Sequence, residues 1–125
     1  MSLIDEAERK LVEDESVPSP FIPYNYSSAV AETRCRPKAG AAYLFGFTVT
    51  NSNAAARFIQ VFDADTFPAN GAVPQVCVSC PTVADKEMLW LPPRRMDRGI
   101  ILCASTTQNT LTLATADHIF DVQYV

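Results

Sequence analysis

Ala41-Ala42-Tyr43-Leu44-Phe45-Gly46-Phe47-Thr48-Val49-Thr50-Asn51-Ser52-Asn53-Ala54-Ala55-Ala56-Arg57-Phe58-Ile59-Gln60-Val61-Phe62-Asp63-Ala64 decides the fold class. Tyr43, Phe45, Phe47 and Val49 alternate with Leu44, Gly46, Thr48 and Thr50. Successive side chains of a strand point to opposite faces, so the spacing predicts an aromatic inner face with Thr48 on the other side. Asn51-Ser52-Asn53 interrupts the run with residues whose side chains bond nearby backbone in turns. Arg57 to Asp63 is again rich in β-branched and aromatic residues. The segment predicts a hairpin at the centre of an all-β core.

Outward from it, further short runs share the two-residue period. They are residues 28–36, with Ala29, Ala31, Thr33 and Cys35 on one side, then Gln75 to Cys80, Lys86 to Leu91 and Gly99 to Ala104. Thr110 to Thr115 follows, with Leu111 and Leu113 inward, and Ile119 to Val125, with Phe120, Val122 and Tyr124 on one face. Pro37-Lys38-Ala39-Gly40 predicts a turn, and Pro81 and Pro92-Pro93 predict strand ends. About eight short strands with turn signals between them predict an antiparallel β-sandwich, jelly-roll or Ig-like, over residues 27–125. Lys86–Leu91 and Gly99–Ala104 are apolar on both faces, which predicts surface left over for a partner.

Residues 1–26 differ in composition. Residues 1 to 16 hold six acids (Asp5, Glu6, Glu8, Glu13, Asp14, Glu15) and two bases (Arg9, Lys10), which is the whole formal charge of −4. The remaining eight acids and eight bases leave a neutral body, which argues against non-specific nucleic-acid binding. Leu3, Ile4, Ala7, Leu11 and Val12 fit a short amphipathic helix. Pro18, Pro20 and Pro23 then force extended geometry on a stretch carrying Phe21, Ile22, Tyr24 and Tyr26. We read residues 1–26 as an extended arm whose partner-binding side chains are Phe21, Ile22, Tyr24 and Tyr26. The basic-then-apolar pattern of a secretory leader is missing, and no apolar run has membrane-spanning length, so the expectation is folding in a cytoplasm without a membrane partner.

Little in the sequence points to catalysis. His118 is the lone histidine and reads as a surface or edge residue, with no nucleophile and orienter to complete a set. Asp63 with Asp65, and Asp117 with Asp121, read as turn stabilisers. Cys77 and Cys80 have zinc-knuckle spacing, but they lie on an alternating strand and would face opposite sides. With Cys35 and Cys103 they read as packing thiols, so no metal and no cofactor is expected.

The central hairpin, the Pro- and Gly-containing loop after it, Gly99-Ile100-Ile101-Leu102-Cys103-Ala104-Ser105-Thr106-Thr107 and the closing Val122-Gln123-Tyr124 together resemble small β-sandwich virion proteins of tailed bacteriophages. The resemblance covers residues 27 to 125. It implies a non-enzymatic virion structural protein of the head decoration (cement) or head-fibre type. The implied partners are the major capsid protein and further copies of the chain, as a trimer. The alternative is a receptor- or carbohydrate-binding module of a fibre.

Overall fold

The computed structural model describes residues 22–125. The amphipathic stretch 3–13, the acidic run and Phe21 lie outside the described residues. Eight strands follow in order: β1 (Tyr24–Ser27), β2 (Arg34–Ala39), β3 (Ala42–Asn51), β4 (Arg57–Phe62), β5 (Val76–Cys80), β6 (Ala84–Met96), β7 (Gly99–Ser105) and β8 (His118–Tyr124). They form two four-stranded sheets, β1-β8-β3-β6 and β2-β7-β4-β5. Every pairing is antiparallel, and the pairs are nested: β1 with β8, β2 with β7, β3 with β6, β4 with β5. The β3–β8 and β4–β7 ladders complete the two sheets. A long antiparallel hairpin rolled over itself gives this order, which is the jelly-roll form of the predicted sandwich.

Between the sheets, Leu44, Phe47, Val49, Met96, Phe120 and Val122 of one layer meet Ile59, Val61, Ile100, Leu102 and Ala104 of the other, all buried. Trp90 closes one side, its ring 5.9 Å from that of Phe47. β7 is buried along its whole length. Ile100, Leu102 and Ala104 face the sandwich interior, while Ile101 and Cys103 join Phe62 and Leu111 in a second cluster. The loops after β4 and β7 cover that cluster. They are tied together by Gly71 N–H donating to the Leu111 carbonyl (2.7 Å) and Leu111 N–H donating to the Ala72 carbonyl (2.8 Å). The surplus apolar face read on Gly99–Ala104 is therefore covered by the chain itself.

The faces of β3 differ from the simple alternation. The register shifts between Leu44 and Gly46 against both neighbours. This bulge exchanges the faces before and after Phe45. Ala42 and Leu44 point inward on one side of it, Phe47 and Val49 on the other, while Phe45 is half-buried and Tyr43 exposed. The continuous aromatic face expected from Tyr43 to Val49 is corrected to Phe47 and Val49 alone. Opposite the bulge, β6 inserts four residues, Trp90 to Pro93, between the partners of Gly46 and Leu44. The backbone of Gly46 touches Met88 and Leu89 so closely that a Cβ there would collide with the Met88 carbonyl.

Further boundaries move. Residues 28–33 form no strand and make only the Glu32–His118 bridge, whereas β2 runs through Pro37 to Ala39. Likewise β6 continues through Pro92-Pro93 to Met96. Both are edge strands, where a missing N–H removes no ladder bond. Thr110–Thr115 forms no strand and makes a single bridge, Leu113 to Ser105 at the end of β7, while Leu111 covers the second cluster. At the start of the described chain, Tyr24 to Ser27 pair with β8, so the arm boundary drawn after residue 26 falls inside β1.

Phe47→Ala should cost about 3–5 kcal/mol, the loss for emptying a fully buried aromatic site. Tyr43→Ala should cost under about 1 kcal/mol, as for other surface substitutions. Denaturant titrations of the two variants check the face assignment, and equal losses would contradict it.

Candidate interaction surface

β6 carries the most distinctive surface. Lys86, Met88 and Trp90 are half-buried, and the intervening residues are exposed. Met88 and Trp90 pack on the core. Leu89 is 71% exposed and Leu91 76% exposed. Acidic Asp85 and Glu87 precede these leucines on the same outward side. Because the bulge turns Tyr43 outward too, the outer face of the β1-β8-β3-β6 sheet presents Tyr43, Leu89 and Leu91. The apolar surface expected on Lys86–Leu91 is present, and Leu89 and Leu91 hold it while Trp90 turns inward.

Of the expected arm residues, Ile22 and Tyr24 are exposed, and the Tyr24 ring lies 5.8 Å from that of Tyr124. Tyr26 is half-buried against the core, and its hydroxyl donates to Glu32 Oε2 at 2.7 Å. Burial, then the Glu32 carboxylate, pushes its phenol pKa upward. Tyr24 and Tyr26 thus sit together on β1, within the sheet; Phe21 lies outside the described residues.

At one end of the sandwich a shallow pocket of about 290 Å³ is lined by Lys38, Ala41, Ala42, Tyr43, Arg95, Met96 and Val125. Arg95 Nε pairs with Asp97 Oδ1 at 3.1 Å, with both side chains largely exposed. Nearby, Asp63 caps the β6–β7 turn. Its carboxylate accepts from the backbone N–H groups of Asp97 (3.0 Å), Arg98 (2.7 Å) and Gly99 (3.3 Å). Burial pushes its pKa up, but these three donors outweigh burial and hold it below the ordinary value. This is the turn-stabilising role expected of Asp63.

The opposite end is polar inside. His118 is fully buried, which corrects its reading as a surface residue. It shares the inward face of β8 with Phe120 and Val122, where period-two placement puts it out of water. Across from it Asn51, also buried, donates to the carbonyls of Ala55 and Pro81, both at 3.1 Å. Asp117 accepts from Asn53 Nδ2 at 2.8 Å and from the Thr115 hydroxyl. Both ring nitrogens of His118 and Nε of Arg57 are buried without a hydrogen-bond partner among the described residues. Burial lowers the His118 pKa, a neighbouring Thr115 backbone group and Asp117 oppose that, and Arg57 adds to the lowering. Sequence reasoning missed this site because a lone histidine carries no pattern; its place in the Phe120–Val122 alternation was the available signal.

The four cysteines are free thiols, with Cys35, Cys80 and Cys103 buried and Cys77 half-buried. Cys80 shares its face of β5 with Val76 and Val78, both packed on the core, and Cys77 lies on the other face. Burial raises the pKa of Cys35, Cys80 and Cys103. Among the described residues no group of three or more His, Cys, Asp or Glu side chains could hold a metal ion. No protein-family model, no curated protein and no solved structure matches this chain. The likeness to phage virion proteins therefore rests on the sequence pattern alone.

Two outcomes follow from burial. Because folding holds His118 neutral, the unfolded chain binds its proton more readily. Stability should fall as pH drops below about 6.5, the ordinary histidine value, and level off below the lowered folded value. His118→Phe should flatten that part of the curve, measured by urea unfolding at several pH values; an unchanged slope would contradict the assignment. Brief thiol labelling of the folded protein should modify Cys77 first, and the other three should react only after denaturation. Mass spectrometry of the labelled peptides checks this.

Proposed function

We propose that this chain is a virion structural protein of a tailed bacteriophage: a decoration (cement) protein that binds the outer head surface and stabilises the shell. The carrying observation is the pair Leu89 and Leu91, more than 70% exposed side by side on one sheet face of a jelly roll. Apolar side chains clustered on a monomer's surface are what an interface covers. The sequence resemblance supports the phage assignment. The jelly roll supports it at the level of architecture, since viral capsid and lectin domains use the same arrangement.

Such a protein acts by burying surface against the major capsid protein and against further copies of itself. A specific contact of standard size removes about 800 Å² per partner. Trimers at threefold positions suit icosahedral shells, and cyclic closure covers the same patch on every copy. The other class of function, a receptor- or carbohydrate-binding fibre module, needs an open aromatic platform. Phe67 is exposed in the loop after β4, but the Arg34 guanidinium stacks over its ring 4.1 Å from the centroid, which leaves that face occupied. Cement binding is favoured by the exposed aliphatic pair Leu89 and Leu91.

Co-sedimentation of the purified protein with undecorated capsids tests the proposal. Wild-type protein should pellet with shells in many copies per particle. Leu89→Ser with Leu91→Ser should lose that binding while keeping a cooperative unfolding transition, since both side chains point to water. A cryo-EM map of virions with the protein at the tail tip would favour the fibre module instead.

A further inference from the structure

The pocket beside Tyr43 lies where the acidic arm enters the fold. Tyr24 pairs with Tyr124, Tyr124 with Leu44, and Leu44 with Arg94, so these four residues form one row across the sheet. The next row outward contains Val125, Tyr43 and Arg95, joined in part by Tyr43 N–H donating to the Val125 carbonyl at 2.9 Å. Followed backward from Tyr24, the chain runs off the same end of the sheet, through Pro23 and Ile22.

Neighbouring strands lie about 4.8 Å apart, so β3 and β6 are roughly 10–14 Å from β1. Residues 16–21, extended, span up to about 20 Å. Glu13, Asp14 and Glu15 are therefore within reach of this end without straining the chain. The chemistry is complementary. The pocket's accessible apolar lining is Ala41, Tyr43 and Val125, with the cations of Lys38 and Arg95 beside it. Lys38 makes no ion pair among the described residues, and the Arg95–Asp97 pair is exposed and therefore readily exchanged. The arm combines acids with apolar residues: Leu11, Val12, then Glu13, Asp14, Glu15, then Val17.

We propose that the arm of the same chain docks in this pocket, with its acids on Lys38 and Arg95 and an apolar residue of the 11–17 stretch against Tyr43 and Val125. A tether of this length keeps the arm at an effective concentration of the order of millimolar, so in dilute solution it outcompetes the arm of a second copy. The docked arm covers apolar surface at one end of the sandwich.

Hydrogen exchange of the purified full-length chain, read by mass spectrometry without any capsid, tests the docking separately from the capsid proposal. Amides of residues 10–20 should exchange about tenfold more slowly than in an unstructured peptide of the same sequence. Lys38→Glu with Arg95→Glu should abolish that protection while residues 99–105 stay protected, which reports an intact fold. Adding Glu13→Lys, Asp14→Lys and Glu15→Lys to that variant should restore it. Unprotected arm amides in the wild type, or protection that survives the pocket reversal, would overturn the proposal. Protection that disappears on tenfold dilution, or cross-links between isotopically light and heavy copies in a mixed sample, would assign the pocket to a second copy and overturn docking within one chain.

Discussion

β7 is the element on which the rest depends: seven residues, Gly99 to Ser105, none of them exposed. A strand dry on both faces needs a cover on each. The opposite sheet supplies one through Leu44, Phe47, Val49, Phe120 and Val122. The other is an improvised layer of loop, with Leu111 over Phe62, Ile101 and Cys103. Irregular backbone brought over an apolar cluster must have its polar groups satisfied. Gln60 does part of this from inside the sheet, donating through Nε2 to the carbonyls of Thr107 (2.9 Å) and Thr110 (3.0 Å). Ser105 Oγ adds a donor to the Thr107 carbonyl at 2.9 Å. Entry into β7 is as constrained: a Cβ at Gly99 would lie 2.5 Å from the Ala64 carbonyl oxygen and 2.7 Å from that of Lys38.

The two ends of the sandwich meet the problem of closure differently. At the β6–β7 turn an ionised carboxylate, Asp63, gathers three backbone donors and leaves the neighbouring pocket open to solvent. At the other end the inward faces finish in Asn51, His118 and Arg57, and the amides of Asn51 and Asn53 tie the loops across the gap. Unpartnered donors in such a place cost stability, because burial removes water without supplying a substitute. His118 stays neutral there, which avoids burying a charge but leaves its ring nitrogens unpartnered.

The outer face of the β1-β8-β3-β6 sheet has no such internal cover. The bulge at Phe45 rotates Tyr43 to solvent and admits the Trp90–Pro93 insertion in β6; Leu89 and Leu91 remain outside. The prolines of edge strand β6 limit strand addition along that edge, since each removes a donor that a new strand would need. Contact through the β6 edge of this sheet is therefore a matter of side chains rather than of added backbone pairing.

The sequence by itself determined the all-β class, the approximate positions of most strands, the inward set Phe120 and Val122, and the double apolar character of Gly99–Ala104. Those features depend on period-two alternation and turn residues, which are local. It also made the turn role of Asp63 legible. Tertiary structure alone decided the jelly-roll order, the faces of β3 and the burial of His118. A bulge is one residue of register, invisible until a partner strand is opposite, and it reverses every face beyond it. Whether an apolar strand is covered by its own loop or left to another molecule depends on which neighbours already occupy its edges and faces. That is why Ile101 is dry under Leu111 while Leu89 and Leu91, equally apolar in sequence, face water.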